Sequence, residues 1–257
     1  MLKGEKQDMG SDIRTYIFTS TITLVSALLL SFSYSGLKEK VKMNVDFDVK
    51  RNIVKSAGYD ISKMSKEQIL DNYNNNITEI ILDIDNNKLD NVRWSELAII
   101  EDKVSGLSNY IEKNNKIAFN KNSSDPSINK YLPIFYHNEK KTYIIPISGK
   151  GLWSTLFGFI SISDDGDTVK GITFYKHKET PGLGGEVDKK WFQENFVNKK
   201  IFKNGKLVSV KVVKLVQEDM HEVDGITGAT ITSKGVSDFL MRDLLRYENF
   251  LRGLHGK

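Results

Sequence analysis

Between Arg14 and Lys38 the chain carries no charged side chain. The centre of that interval, YIFTSTITLVSALLLSFSY from Tyr16 to Tyr34, is long enough as a helix to cross the ~30 Å hydrocarbon layer of a bilayer. Its Thr and Ser hydroxyls can bond back to carbonyls one turn earlier, and Tyr16 and Tyr34 stand where interfacial aromatics lie. Ser33-Tyr34-Ser35-Gly36 could pass for a signal-peptide cleavage site, but the apolar core exceeds the ~7–15 residues of such a signal, so a retained anchor is expected. No second run approaches the ~20 apolar residues of a span, so the remainder is expected to be water-soluble and to meet membrane lipid only through this anchor. Lys3, Lys6 and Arg14 on one flank balance Lys38, Lys40 and Lys42 on the other, and the charge count gives no orientation.

The absence of cysteine removes disulfides, thiolate metal sites and thiol nucleophiles, so any redox chemistry needs an organic cofactor. The net charge of +4 is dispersed among alternating Lys, Asp and Glu with no basic stripe, which argues against nucleic acid as a partner. The four histidines show no metal-ligand spacing, and no metal site is expected. The hydroxyl residues lack an evident base partner for a hydrolase triad, and no catalytic residue is assigned.

An α+β fold is expected: an N-terminal transmembrane helix, then an antiparallel sheet with flanking helices. The division reads as a tail at 1–14, a span at 15–35, a membrane-proximal α+β region at 36–140 and a ligand-binding domain at 141–252. Ser65 followed by Glu67 and Gln68 signals a helix start at SKEQILDNY, and a second helix is expected over RWSELAIIEDKV, residues 93–104. Residues 113–130 read as a surface loop. Strands are expected over 141–149, 156–163, 169–178 and 206–216, with SDDGD at 163–167 as a hairpin turn. A short helix at 188–197 would present Trp191, Phe192 and Phe196 on one face. A final helix would bury Val236, Phe239, Leu240, Leu244 and Tyr247, with Thr232 or Ser233 as its N-cap.

Just before that helix stands DGITGATITSKGV, residues 224–236. Small residues leading into a helix N-terminus can cradle a phosphate; they can equally form a tight turn and a cap. Asp224-Gly225-Ile226-Thr227-Gly228-Ala229-Thr230 resembles the flavinylation motif Asp-x-x-Ser/Thr-Gly-Ala-Thr, whose last threonine carries FMN through a phosphoester. ETPGLGGEV at 179–187 and GKGLWSTLFGFISI at 149–162 resemble segments of the C subunits of sodium-translocating NADH:quinone oxidoreductases, and RNIVKSAG at 51–58 does so weakly. The stretch from about 59 to 130 matches poorly. GLGG at 182–185 lacks the spacing and setting of a dinucleotide fingerprint, which places NADH oxidation elsewhere.

The resemblance implies an electron-relay subunit in the inner membrane, its soluble domain on the periplasmic or outer side. Its partners would be the other membrane subunits of a sodium-pumping NADH:quinone reductase complex and, during maturation, a flavin transferase. It implies covalent FMN on Thr230, with Asp224, Thr227, Gly228, Ala229 and Thr232 in or beside the motif and Trp153, Glu179, Thr180, Leu183 and Gly184 around the ring. Lys214 is a candidate cation for the phosphate. Trp153 could instead be a core aromatic, and Asp224 a turn cap. Two alternatives stay open: the G-type subunit of an Rnf ferredoxin:NAD complex, which shares the motif, and a membrane-anchored phosphate-ligand binding module.

Overall fold

The computed structural model describes residues 9–123, 125, 127–217 and 220–255, in two compact units, Met1–Phe47 and Asp48–Lys257. One helix, α1 (Met9–Ser56), runs through the first unit and into the second. Its apolar part is the one candidate membrane span among the described residues. Thr19, Thr21 and Thr23 donate to the carbonyls four residues back at 2.7, 2.7 and 2.8 Å, as expected. The helix does not stop near residue 35: Leu37 to Ser56 contains no Gly or Pro, and termination waits for Gly58, whose φ of 93° is left-handed.

In the second unit, Ser65 caps α2 (Lys66–Asn76) with the reciprocal Gln68 bonds expected of a capping box. Then come β1 (Ile77–Leu82), β2 (Lys88–Leu89), β3 (Leu97–Glu101), β4 (Ser108–Glu112), α3 (Lys116–Lys121), β5 (Leu132–His137), β6 (Thr142–Lys150), β7 (Thr155–Ser163) and β8 (Val169–Lys176). Next are α4 (Lys190–Glu194), β9 (Phe202–Lys203), β10 (Lys206–Leu207), β11 (Lys211–Val213), β12 (Glu222–Asp224), α5 (Thr230–Arg246) and α6 (Glu248–Leu254).

The main sheet has the order β2-β1-β5-β6-β7-β8, antiparallel throughout. The boundary expected at residue 140 therefore runs through this sheet, between β5 and β6. The amphipathic face of α5 packs as expected: Val236, Phe239, Leu240, Leu244 and Tyr247 are all buried, in one cluster with Ile145, Ile147, Ile160 and Phe174 of the sheet. Each such side chain contributes about 1.5–3 kcal/mol by burial. This anchoring fixes where the first turn of α5 emerges.

Several local expectations are corrected. Residues 93–104 form no α-helix: a 3-10 turn at Trp94–Glu96 leads into β3, which pairs with β4 along Leu97↔Glu112 to Glu101↔Ser108. The apolar pattern there suits either period, and tertiary pairing decides for strand. The polar stretch 113–130 is not all loop, since α3 buries Phe119 and the following turn buries Ile128. The expected strand 206–216 is broken, because Ser209 at φ 61° separates β10 from β11, and β11 pairs in parallel with β12. Residues 188–197 hold only the five-residue α4; Phe192 and Phe196 are buried, whereas Trp191 is exposed and its indole donates to Glu186.

Candidate functional site

The carboxylate of Glu179, 5% exposed, joins three segments far apart in sequence. It accepts from the backbone N–H groups of Leu152, Trp153 and Ser154 at 3.2, 3.0 and 2.9 Å, and from the Ser154 hydroxyl at 3.1 Å. The Thr232 hydroxyl donates to it from the first turn of α5 at 2.8 Å. Burial pushes the Glu179 pKa up, but the donors from Thr232, Trp153 and Ser154 outweigh it and hold the acid below its ordinary value. The carboxylate therefore stays ionised and fastens the β6–β7 turn and its own loop to α5.

Gly184 has to be a glycine for the same reason. A Cβ there would stand 2.7 Å from Glu179 Oε2 and 2.6 Å from Thr232 Oγ1, inside the bond itself. The Thr180 carbonyl turns this loop by accepting from Leu183 and Gly185 at 3.1 and 2.9 Å. Leu183 then reaches the 224–230 turn: its Cδ2 lies 3.0 Å from where a Cβ on Gly228 would be. Gly228 has φ 75°, a conformation costly for other L-residues, and it reverses the chain directly before the helix.

The helix starts earlier than expected. Ala229 is the N-cap and Thr230 the first helical residue, so the assignment of Thr232 or Ser233 as N-cap is corrected. Thr232 falls in the buried first turn and bonds Glu179, while Ser233 Oγ accepts from the Ile226 N–H at 3.1 Å. No side chain caps α5, so its first-turn N–H groups remain available to a ligand.

Thr227 and Thr230 face outward into a cleft of about 370 Å³, which Lys214, Gly228, Ser233 and Lys234 also line. Asp224 holds one wall by accepting from the Val216 N–H at 3.0 Å, which positions the loop that carries Lys214. Trp153 is 72% exposed, which ends the core-aromatic alternative for it, and Leu152, Leu183 and Ile231 are also exposed apolar groups. Thus residues 149–162, 179–187 and 224–236 converge. Asp224 supports the cleft from behind, while Thr180 and Glu179 act through the loop and the carboxylate anchor.

Three participants carry no signal in the sequence alone: Ser154, Ile231 and Lys234. Ser154 looks like an ordinary turn residue. Ile231 and Lys234 become visible only once Thr230 is set as the first helical residue, which places Lys234 one turn on, at i+4, where it pairs with Asp238 at 2.6 Å.

Fold and site together define a class: an α+β protein in which a long apolar helix, the candidate membrane span among the described residues, precedes a sheet domain whose residues 151–244 match the FMN-binding domain family. The chain is 31% identical over 231 residues to the C subunit of the Na(+)-translocating NADH-quinone reductase of Vibrio alginolyticus, covering 86% of this chain and 87% of that one. It is 31% identical over 242 residues to the corresponding protein of Pseudomonas aeruginosa, with 90% of each chain covered. The crystal structure of the C subunit from Parabacteroides distasonis superposes with a TM-score of 0.65 at 32% identity, covering 84% of this chain and 96% of that one. This chain belongs to the family of C subunits of Na(+)-translocating NADH-quinone reductases.

Proposed function

We propose that this chain is the electron-relay subunit of a membrane complex that oxidises NADH, reduces a quinone and translocates sodium ions, and that it carries FMN covalently through a phosphoester to Thr230. The supporting observation is the geometry of one residue. Thr230 is an exposed hydroxyl at the start of an uncapped helix, in a cleft with Lys214 and Lys234, within a segment that matches an FMN-binding domain.

The residues present fit FMN. The free N–H groups of the first turn and the two lysines suit a phosphate, and Gly228, with no side chain, leaves its approach to Thr230 open. Trp153, Leu183 and Ile231 offer exposed apolar surface to a flat ring system. Bound there, FMN supplies the capacity to accept and release electrons one or two at a time. Thr230 would provide the attachment oxygen, and a flavin transferase would supply the FMN phosphoryl group from FAD, with AMP as the leaving group. Thr227, Thr232 and Ser233 do not carry the flavin. Covalent attachment suits an exported domain, which cannot draw on cytoplasmic FMN to replace what dissociates. The N-terminus is assigned to the cytoplasm, the span to 15–35, the membrane-proximal region to 36–140 and the flavin domain to 141–252 on the periplasmic or outer face. Within the membrane, the small Ser, Thr and Ala side chains of the span suit packing on helices of partner subunits.

The test is intact mass and in-gel flavin fluorescence of the denatured full-length chain after co-expression with a flavin transferase. A fluorescent band with the mass of one FMN adduct is expected. A colourless chain of unmodified mass would count against the proposal.

A further inference from the structure

Away from Thr230, a larger cleft of about 710 Å³ opens between the last turn of α1, the 58–62 loop, the edge strand β8 and α4. It takes in Arg51, Lys55 and Gly58 of RNIVKSAG, a segment that the flavin site leaves unused. We propose that this cleft binds a phosphate-bearing anion, held by Arg51, Lys55, Lys170 and the hydroxyl of Thr173.

Two independent observations converge on it. The first is an imbalance of charge. The cleft lining carries Arg51, Lys55, Lys170 and Lys190 against Asp60 and Glu194; Asp60 is engaged by Ser62 at 2.6 Å and Lys63 at 3.4 Å, and Glu194 pairs with Lys190 at 3.4 Å, which leaves Arg51, Lys55 and Lys170 without a carboxylate partner in the lining. Lys55 donates to Gln193 at 2.9 Å, but the side chains of Arg51 and Lys170 have no hydrogen-bond or ion-pair partner among the described residues. Arg51 and Lys55 also lie one helical turn apart, where like charges repel. The second observation is Thr173, which lines the cleft at 1% exposure with an Oγ1 that has no hydrogen-bond partner. A buried hydroxyl without a partner costs folding free energy, and a native fold normally gives it one.

The donors select the ligand chemistry. A guanidinium fork, ammonium groups and a hydroxyl arranged around an open cleft suit the several oxygens of a tetrahedral phosphate better than the two of a planar carboxylate. Ile61, Ile172 and Val197 add apolar wall, which suits a phosphate ester with an organic group. A lipid headgroup and a soluble phosphate ester share this chemistry.

The test is the rate of acetylation of Lys170, read by mass spectrometry on the full-length flavinylated chain against exposed Lys63 outside the cleft. One arm adds inorganic phosphate in non-ionic detergent. The other compares phosphate-free nanodiscs of phosphatidylcholine with and without phosphatidylglycerol. At least one arm should slow Lys170 about threefold or more while Lys63 is unchanged, the effect of a site filled to two-thirds or beyond. Protection by phosphate alone assigns a soluble ester, and protection by phosphatidylglycerol alone a lipid headgroup. Arg51→Gln should abolish the protection, and so should the near-isosteric Thr173→Val, with circular dichroism and flavin content unchanged. Protection should persist in Thr230→Ala, so this site and the flavin assignment can fail separately. No protection in either arm up to about 10 mM phosphate, the range of weak ion binding, would overturn the proposal. So would protection that survives Arg51→Gln.

Discussion

Two faces of one helical turn carry the same side-chain chemistry to opposite ends. On the inner face of the first turn of α5, Thr232 is 1% exposed and its hydroxyl is committed to Glu179. On the outer face, two residues earlier, Thr230 is exposed and lines the cleft with Lys214 and Lys234. A helix advances about 100° per residue, so a step of two moves a side chain to the far side of the turn. The inner threonine fixes the frame, and the outer one is free to react. The site is rigid where it touches the core and open where the cofactor is proposed to attach.

The largest expected break in this comparison is Glu179→Ala. It strands the Thr232 hydroxyl and three backbone donors together, and should cost about 2–4 kcal/mol in a chemical denaturation curve. A loss within experimental error would mean that the carboxylate does not organise the inner face. Acid should act on the same bonds. Because the folded pKa of Glu179 is held below its ordinary value of 4.5, its stabilisation is complete above that value and is lost as pH falls through the lower folded pKa. Stability measured from about pH 6 down to about pH 3 should therefore fall more steeply in the parent chain than in Glu179→Gln. Parallel curves would contradict the depressed pKa. Thr232→Val is smaller again. It removes one donor to a charged group at constant shape, should cost about 1–2 kcal/mol, and should leave flavin attachment intact.

How much of this is legible in the sequence depends on what holds each element. The face of α5 can be read because its burial repeats at helical spacing from Val236 to Tyr247. The convergence of 149–162, 179–187 and 224–236 on one place follows from family resemblance, whereas the bond that achieves it, Thr232 to Glu179, spans 53 residues and leaves no local trace. The cap is misplaced by sequence because Thr232 and Ser233 have the right chemistry for an N-cap, and only the burial of their side chains against Glu179 and Ile226 sets the helix start at Thr230. In 93–104 the local pattern is ambiguous, and pairing with β4 makes it a strand. The cationic cleft is invisible in the sequence, since β8 and α4 come to the end of α1 only in the folded chain.

The division between the two faces is tested most directly by locating the flavin. The full-length chain co-expressed with a flavin transferase would be digested, and the fluorescent peptide sequenced by tandem mass spectrometry, alongside Thr230→Ala and Thr232→Val. The expected result is one FMN phosphoester on Thr230 in the parent and in Thr232→Val. Thr230→Ala should carry no covalent flavin and, as the loss of an exposed hydroxyl, change stability by no more than about 0.5 kcal/mol. A flavin mapped to Thr227, Thr232 or Ser233, or a Thr230→Ala chain that still fluoresces after denaturation, would contradict the account.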